Sequence, residues 1–181
     1  CFSQAEQYNK CTLRTDLLLC QHPMALPYRP NVGVVIFNAE GLALVGERLD
    51  NRGAWQYPQG GVDDGEDFDY AARRELSEET GIRDAEFITS IKEFLYYEFP
   101  ATLKIPHMTD RYRGQKQKWY LAYWNHPVDH ANLKTHKQEF ARVQFMPMAD
   151  ITNQIVVFKR EIYTELERQF LPRINAYLHS R

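Results

Sequence analysis

From Tyr28 onward, the spacing of apolar and polar residues changes period several times, and each change marks an element. Val32–Phe37 is a β-rich run, Asn38-Ala39-Glu40-Gly41 a turn, and Leu42–Glu47 a second strand, which together predict a hairpin. Arg48–Ala54 is a polar loop, and Trp55–Tyr57 is a short strand stopped by Pro58. A helical pattern runs from near Glu66 to Gly81, a residue suited to the left-handed position that closes a helix. Ala85–Phe99 reads as one aromatic-rich strand, Ala101–Arg113 as a long loop, and Lys116–Trp124 as a strand. Asn125–Gln138 is polar, and Phe140–Met146 is a further strand. A helix follows Pro147. Phe158, Ile162, Leu166 and Phe170 recur every four residues, which predicts an amphipathic helix over Phe158–Leu171, ended or kinked by Pro172. The pattern is that of an α/β protein, a mixed sheet with helices on its faces in α/β/α layers.

Composition narrows the class. A chain of 181 residues, 44% hydrophobic and 25% charged, suits one globular domain, and no apolar run approaches a membrane span. The net charge of −2 means that any nucleic-acid binding rests on a local basic patch. Residues 1–27, with Pro23, Pro27 and Pro30 at their boundary, read as an N-terminal extension that could recruit a protein partner; residues 28–181 carry the domain. Cys1, Cys11 and Cys20 all lie in that extension. Their odd number and lack of zinc spacing argue for free thiols and an intracellular reducing compartment. The chain starts at Cys1 without an initiator Met. The expectation is therefore a processed or trimmed product, cytoplasmic, or mitochondrial or plastid if a targeting segment has been removed.

The chemistry concentrates in Gly60–Ile82, GGVDDGEDFDYAARRELSEETGI. Glu75 and Glu79 fall one helical turn apart, with Glu78 beside them. Like charges at that spacing destabilise a helix unless a cation neutralises them, and a set of oxygen ligands suits Mg²⁺ or Mn²⁺. The bland reading is an exposed acidic helix. It leaves unexplained why a Gly pair, an Arg and three Glu stand in register.

Gly60, Glu66, Arg74-Glu75-Leu76, Glu78-Glu79 and Gly81-Ile82 resemble a complete Nudix box, with every fixed position occupied. The resemblance covers about Tyr28–Phe170. It implies a Nudix-type α/β/α sandwich with a mixed β-sheet and a metal-dependent pyrophosphohydrolase. It further implies Glu75, Glu78 and Glu79 as metal ligands, with the Gly60 carbonyl as another. Arg74 would orient the glutamates and Glu66 would bond the loop backbone. Glu139, in the run Lys137–Phe140, resembles a distant glutamate that reaches the metals; it is a candidate ligand or general base, a role Glu78 could fill instead.

Four further runs, YRPNVG from Tyr28, WQYPQGG from Trp55, GQKQKW from Gly114 and VVFKREIY from Val156, are similar to bacterial RNA 5′-pyrophosphohydrolases and to bacterial and plant diadenosine tetraphosphate hydrolases. Arg29, Lys116, Lys118 and Lys159 are candidate phosphate contacts. Phe158 and Tyr97 are candidate base-stacking platforms, with core packing as the rival reading of each. Lys104, Arg111 and Arg113 make the long loop a basic patch, which favours an RNA 5′-triphosphate end as substrate over asymmetric cleavage of diadenosine tetraphosphate. Trp55 reads as packing, and His126, His130 and His136 as surface residues. From a different class, an RNA-end or nucleotide-binding module without turnover would explain the same residues. An ADP-ribose or nucleotide-sugar pyrophosphatase lacks the further motifs expected of it.

Overall fold

The computed structural model describes residues 26–181. The three cysteines, the Leu17–Cys20 cluster and nearly all of the expected N-terminal extension lie outside the described residues.

Two ten-residue strands, β1 (Tyr28–Phe37) and β7 (Gly114–Tyr123), run parallel in continuous register from Tyr28↔Gly114 to Phe37↔Tyr123. The other strands pair antiparallel: β2 (Ala43–Arg48), β3 (Trp55–Gln56), β4 (Gln59–Gly61), β5 (Glu86–Ser90), β6 (Leu95–Glu98) and β8 (Phe140–Met146). The sheet is therefore mixed, and helices cover both faces. Alternation along a strand decides which residue meets which helix. Val32, Val34 and Ile36 of β1 pack on Ala71, Ala72 and Leu76 of α1 (Phe68–Thr80). Val35 and Phe37 face Ile162, Leu166, Phe170 and Ile174 of α3 (Arg160–His179), beside the short α2 (Met148–Gln154). The expected α/β/α layering is borne out.

Three expectations change. The hairpin survives only at its tip, Phe37↔Ala43, because β2 then leaves β1 to pair with β8 and β3. The segment after Pro58 fills the gap, so the Gly pair itself becomes a strand, β4, hydrogen-bonded along Asn31–Gly33. Ala85–Phe99 is two strands, not one, broken at Ile91–Phe94; both halves pair with β7. Pro172 does not end α3, which continues to His179. Ile174 beyond it is fully buried, and Tyr177 packs edge-on against Phe37, so packing holds the helix past its missing N–H.

The sheet also carries a close approach that only glycine allows. A Cβ on Gly33 would lie 2.4 Å from the indole of its register partner Trp119, which is fully buried. Gly33→Ala is expected to destabilise by about 1–3 kcal/mol, the cost of overpacking a filled core. A denaturant midpoint that moves by that amount at constant slope is the check.

Candidate active site

Helix α1 begins at Asp67, whose side chain accepts from the N–H groups of Asp69 and Tyr70, and closes at Gly81 with φ 72°. Its last carbonyls are capped from elsewhere: Asn132 N donates to Thr80 O, and Thr135 Oγ1 donates to Ser77 O and Glu78 O. These bonds satisfy groups that a helix end leaves open. They also lash the 131–138 loop to the helix and bring Glu139, just before β8, toward the carboxylates of α1.

Arg74 is the hub. Its Nε donates to Glu66 Oε1 at 2.6 Å and Nη2 to Glu66 Oε2 at 2.8 Å and to the Gly61 carbonyl at 2.9 Å. Nη1 reaches Glu75 at 2.8 Å and Glu78 at 3.4 Å. Glu66 in turn accepts from Asp63 N, closing the loop before the helix. One guanidinium thus ties loop, strand β4 and helix face together.

Glu79 is buried, 3% exposed. Its Oε2 accepts from Gln59 N at 2.9 Å, whereas Oε1 is buried without a hydrogen-bond partner among the described residues. Burial, then the neighbouring charge of Glu139, push the Glu79 carboxyl well above the ordinary glutamate value. Burial raises Glu75 as well, against the pull of Arg74, with Glu78 and Glu139 adding to the rise. Glu75 lies directly over Gly60, where a Cβ would stand 1.9 Å from its carboxyl carbon.

These residues fit a hard divalent cation. The donors are all oxygen, and one buried carboxylate oxygen is orphaned. Burial is the main cause of the two raised pKa values and the crowding of carboxylates adds to it; a cation would offset both. As they stand, among the described residues, no three such side chains are already gathered in ion-holding geometry. Arg74 holds Glu75 toward Glu66, and the Gln59 amide holds Glu79.

Glu75, Glu78 and Glu139 open into a cleft of about 640 Å³, with Glu79 buried behind them and not lining it. Gly60, Glu75, Glu78, Glu139, Arg29, Tyr97, Phe158 and Lys159 all line it. Lys159 is 8% exposed, and its ammonium sits 5.5 Å from the Tyr97 ring centre. Burial, with Arg48 nearby, lowers its pKa to about 8. Phe158 lies in a 3-10 turn before α3, half-buried, and not on the helix stripe where its spacing had placed it. Tyr97 is 7% exposed and packs behind Phe158 at 5.7 Å, so Phe158 offers the ring and Tyr97 supports it.

Lys116 and Lys118 are the exceptions. They share with Tyr120 the α1-side face of β7, away from the cleft, where Lys118 donates to Lys92 O and both ammoniums lie near the Phe94 ring. Period two puts the alternate residues inside. Gln115 lines the cleft, and the buried Gln117 amide donates to Asn31 Oδ1 at 2.8 Å and to Gln115 Oε1 at 3.2 Å. The run GQKQKW thus contributes its glutamines to this side of the sheet and its lysines to the other. The long loop also differs from expectation. Arg113 is spent on Glu98 and Tyr28, Arg111 lies over Tyr112, and the residues turned into the cleft are Leu103, Ile105 and Met108.

Sequence reasoning missed Arg48, which lines the cleft while bonded to Asp50 at 2.6 Å; it lay in a stretch read as loop. It also placed His136 on the surface. That residue is exposed yet lines the cleft, with Nδ1 3.9 Å from Glu78 Oε2. Trp55 is buried as expected but also faces the cleft.

A mixed sheet between helices, with a glutamate-bearing helix strapped by one arginine to a Gly-Gly strand, defines a class. The chain belongs to the Nudix family, matching the NUDIX domain over residues 27–166. Among its relatives, it is 45% identical over 141 residues to the RNA pyrophosphohydrolase of Roseobacter denitrificans, covering 76% of this chain and 88% of that one. It is 41% identical over 155 residues to the RNA pyrophosphohydrolase of Rhodopseudomonas palustris strain BisA53, covering 80% and 88%. Among solved structures, the Caenorhabditis elegans Ap4A hydrolase binary complex shares the fold at TM-score 0.56 and 24% identity, over 84% of this chain and 99% of that one. The family uses divalent metal ions. No helix among the described residues is long and apolar enough to cross a membrane.

Proposed function

We propose that this Nudix pyrophosphohydrolase converts the 5′-triphosphate end of RNA to a 5′-monophosphate, using Mg²⁺ or Mn²⁺. The observation that carries this reading is a single cleft joining Glu75, Glu78 and Glu139 to the cations Arg29, Arg48 and Lys159 and to the half-buried ring of Phe158. Identity of 39–45% to RNA pyrophosphohydrolases, over most of their length, supports it.

The roles divide by position. Glu75, Glu79 and the Gly60 carbonyl are the ligands at the helix–strand seam, joined by Glu78 and Glu139 from the cleft side. A bound divalent cation would screen the phosphates and acidify water. Glu78 and Glu139, both at the open side, are the groups able to take a proton from attacking water. Arg74 orients Glu75 and Glu78. Arg29, Arg48 and Lys159 neutralise the polyphosphate, because phosphoryl transfer asks the protein mainly for positioning and charge.

Purified protein with Mg²⁺, triphosphate RNA and diadenosine tetraphosphate, assayed in ¹⁸O-labelled water, tests the reading. RNA monophosphate should form at the higher kcat/KM, and the label identifies the phosphorus attacked. Preference for diadenosine tetraphosphate would reassign the substrate, and tight binding without turnover would make the domain a binding module.

Lys159 adds a pH signature. Its free-enzyme pKa of about 8 means that its charge is present below that pH and lost above it. The kcat/KM for a triphosphate should therefore fall as pH rises through about 8, while Lys159→Ala lacks that limb and starts lower. An unchanged limb in the variant would remove Lys159 from the phosphate site.

A further inference from the structure

Helix α1 covers only part of its side of the sheet. It packs on Val32, Val34 and Ile36 of β1 and on Tyr120 and Ala122 of β7. Toward the start of those two strands the same face continues without a helix. Period two and the register place Tyr28 and Pro30 of β1, Lys116 and Lys118 of β7 and Tyr96 of β6 on it, since Lys116 is the partner of Pro30 on one side and of Tyr96 on the other. Tyr96 is 52% exposed, and the other four are half-buried.

The side chains on this face are held in place. Phe94, just before β6, stands edge-on to Phe68 at 5.2 Å, and the ammoniums of Lys116 and Lys118 lie 5.2 and 5.8 Å from its ring centre. Lys118 Nζ also donates to Lys92 O at 2.9 Å. Tyr28 and Tyr96 meet edge-on at 5.1 Å. Neither lysine has a carboxylate partner among the described residues. The nearby acid Glu98 is engaged by Arg113 and the Tyr28 hydroxyl, and Asp69 by the Tyr120 hydroxyl. Cations and rings set in this way lose little side-chain freedom when a ligand arrives. On a chain of net charge −2, a local pair of uncommitted lysines favours a polyanion, and an open tyrosine beside them suits an unpaired base.

Position decides which polyanion. Among the described strands β6 pairs only with β7, so it is the outer strand here. Tyr97 and Gln115 turn into the cleft, whereas their chain neighbours Tyr96 and Lys116 turn to the opposite face. The cleft and the lysine–tyrosine face are thus the two sides of one strand edge. We propose that this second face is a track for the single-stranded body of the RNA, which passes around β6 once its 5′ end is in the cleft. Lys116 and Lys118 take backbone phosphates on it, and Tyr96 stacks on a base without reading its identity. The lysines of GQKQKW then serve phosphates downstream of the 5′ end, while the glutamines of the same run face the cleft. The inference rests on the RNA-end reading and adds to it a surface that senses RNA length.

The test is substrate length. A triphosphorylated dinucleotide and an unstructured triphosphorylated RNA several times longer are compared in wild type, Lys116→Ala/Lys118→Ala, Lys116→Arg/Lys118→Arg and Tyr96→Ala. In wild type the longer RNA should show the higher kcat/KM and the steeper salt dependence. Each lysine that neutralises one phosphate of a single strand adds about 0.7 to the slope of log kcat/KM against log salt. The alanine pair should therefore flatten the slope by about 1.4 for the longer RNA and leave the dinucleotide unchanged, and the arginine pair should keep the slope. Tyr96→Ala should lower kcat/KM about fivefold or more for the longer RNA alone, the scale of one stacked base. Wild-type rates on the dinucleotide show that each variant is folded. Equal losses at both lengths would overturn the track, and so would a slope that the alanine pair leaves unchanged, the latter in favour of a protein on this face. Equilibrium binding of fluorescent RNAs of the two lengths reads the same slopes without turnover. Failure of the proposed reaction would thus appear as absent hydrolysis, and failure of the track as absent length dependence.

Discussion

Glu79→Gln is expected to separate stability from activity in opposite directions. The substitution keeps the side-chain shape, and the Gln59 N–H can still find a carbonyl oxygen at 2.9 Å. It removes a charge from a site that is 3% exposed and crowded by Glu75 and Glu139. Without metal, the variant should therefore be as stable as wild type or more so, since an unpaired buried carboxylate is costly. Turnover should fall by orders of magnitude, through the charge lost from the metal site. Added metal should raise the melting temperature of wild type and do much less for the variant, because only a ligand that binds the native state stabilises it. Thermal scans with and without Mg²⁺ beside single-turnover rates measure both effects. Near-normal turnover at saturating Mg²⁺ would withdraw Glu79 from the ligand set.

Arg74→Ala is expected to lose stability and activity together. It strips the partner from Glu66 and Glu75, whose side chains are only 9% and 14% exposed, and releases the Gly61 carbonyl. Breaking a buried ion pair costs about 3–5 kcal/mol; with Arg74 still 21% exposed, about 2–3 kcal/mol is the expectation. For a domain of this size that lowers the melting temperature by about 5–10 °C. The sign with pH follows from Glu66, whose carboxyl Arg74 holds below the ordinary value of 4.5. A lowered folded-state pKa contributes stability above the unfolded value and loses it as pH falls through the folded one. The gap between variant and wild type should thus be full at neutral pH and narrow in acid. Arg74→Lys should rescue little, since one ammonium cannot serve Glu66, Glu75 and Gly61 with a planar fork. A wild-type melting temperature in Arg74→Ala would show that the hub contributes nothing net.

Much of this molecule is local and therefore readable in advance. The helix over the Glu cluster, its Gly81 close and the strands flanking it follow from period, turn residues and propensity, which act over a few neighbours. The hairpin failed because its strand edges were claimed by partners distant in sequence, β4 and β8. The expected strand Ala85–Phe99 split because the five steps from Ser90 to Leu95 stand against only three between their β7 partners Tyr120 and Gln117. Pro172 does not end α3, because packing beyond it outweighs a lost hydrogen bond. The lysines of GQKQKW carried the right charge and the wrong side: strand parity admits either the lysines or the glutamines, and only the sheet's neighbours decide which face meets the cleft.

The carboxylate cluster and the glycines beneath it belong to the chain's own spacing, because one helical turn and one tight loop bring them together without help. Arg48, Glu139, His136 and the apolar cleft wall at Leu103, Ile105 and Met108 do not. They reach the cleft because β2 peels away from β1, because Asn132 and Thr135 cap α1, and because the long loop turns its aliphatic side chains inward and its arginines out. Short-range geometry could thus announce a helix with clustered carboxylates. What stands across from it depended on long-range contacts, in which hydrogen-bond partners and packing surfaces are chosen by the whole fold.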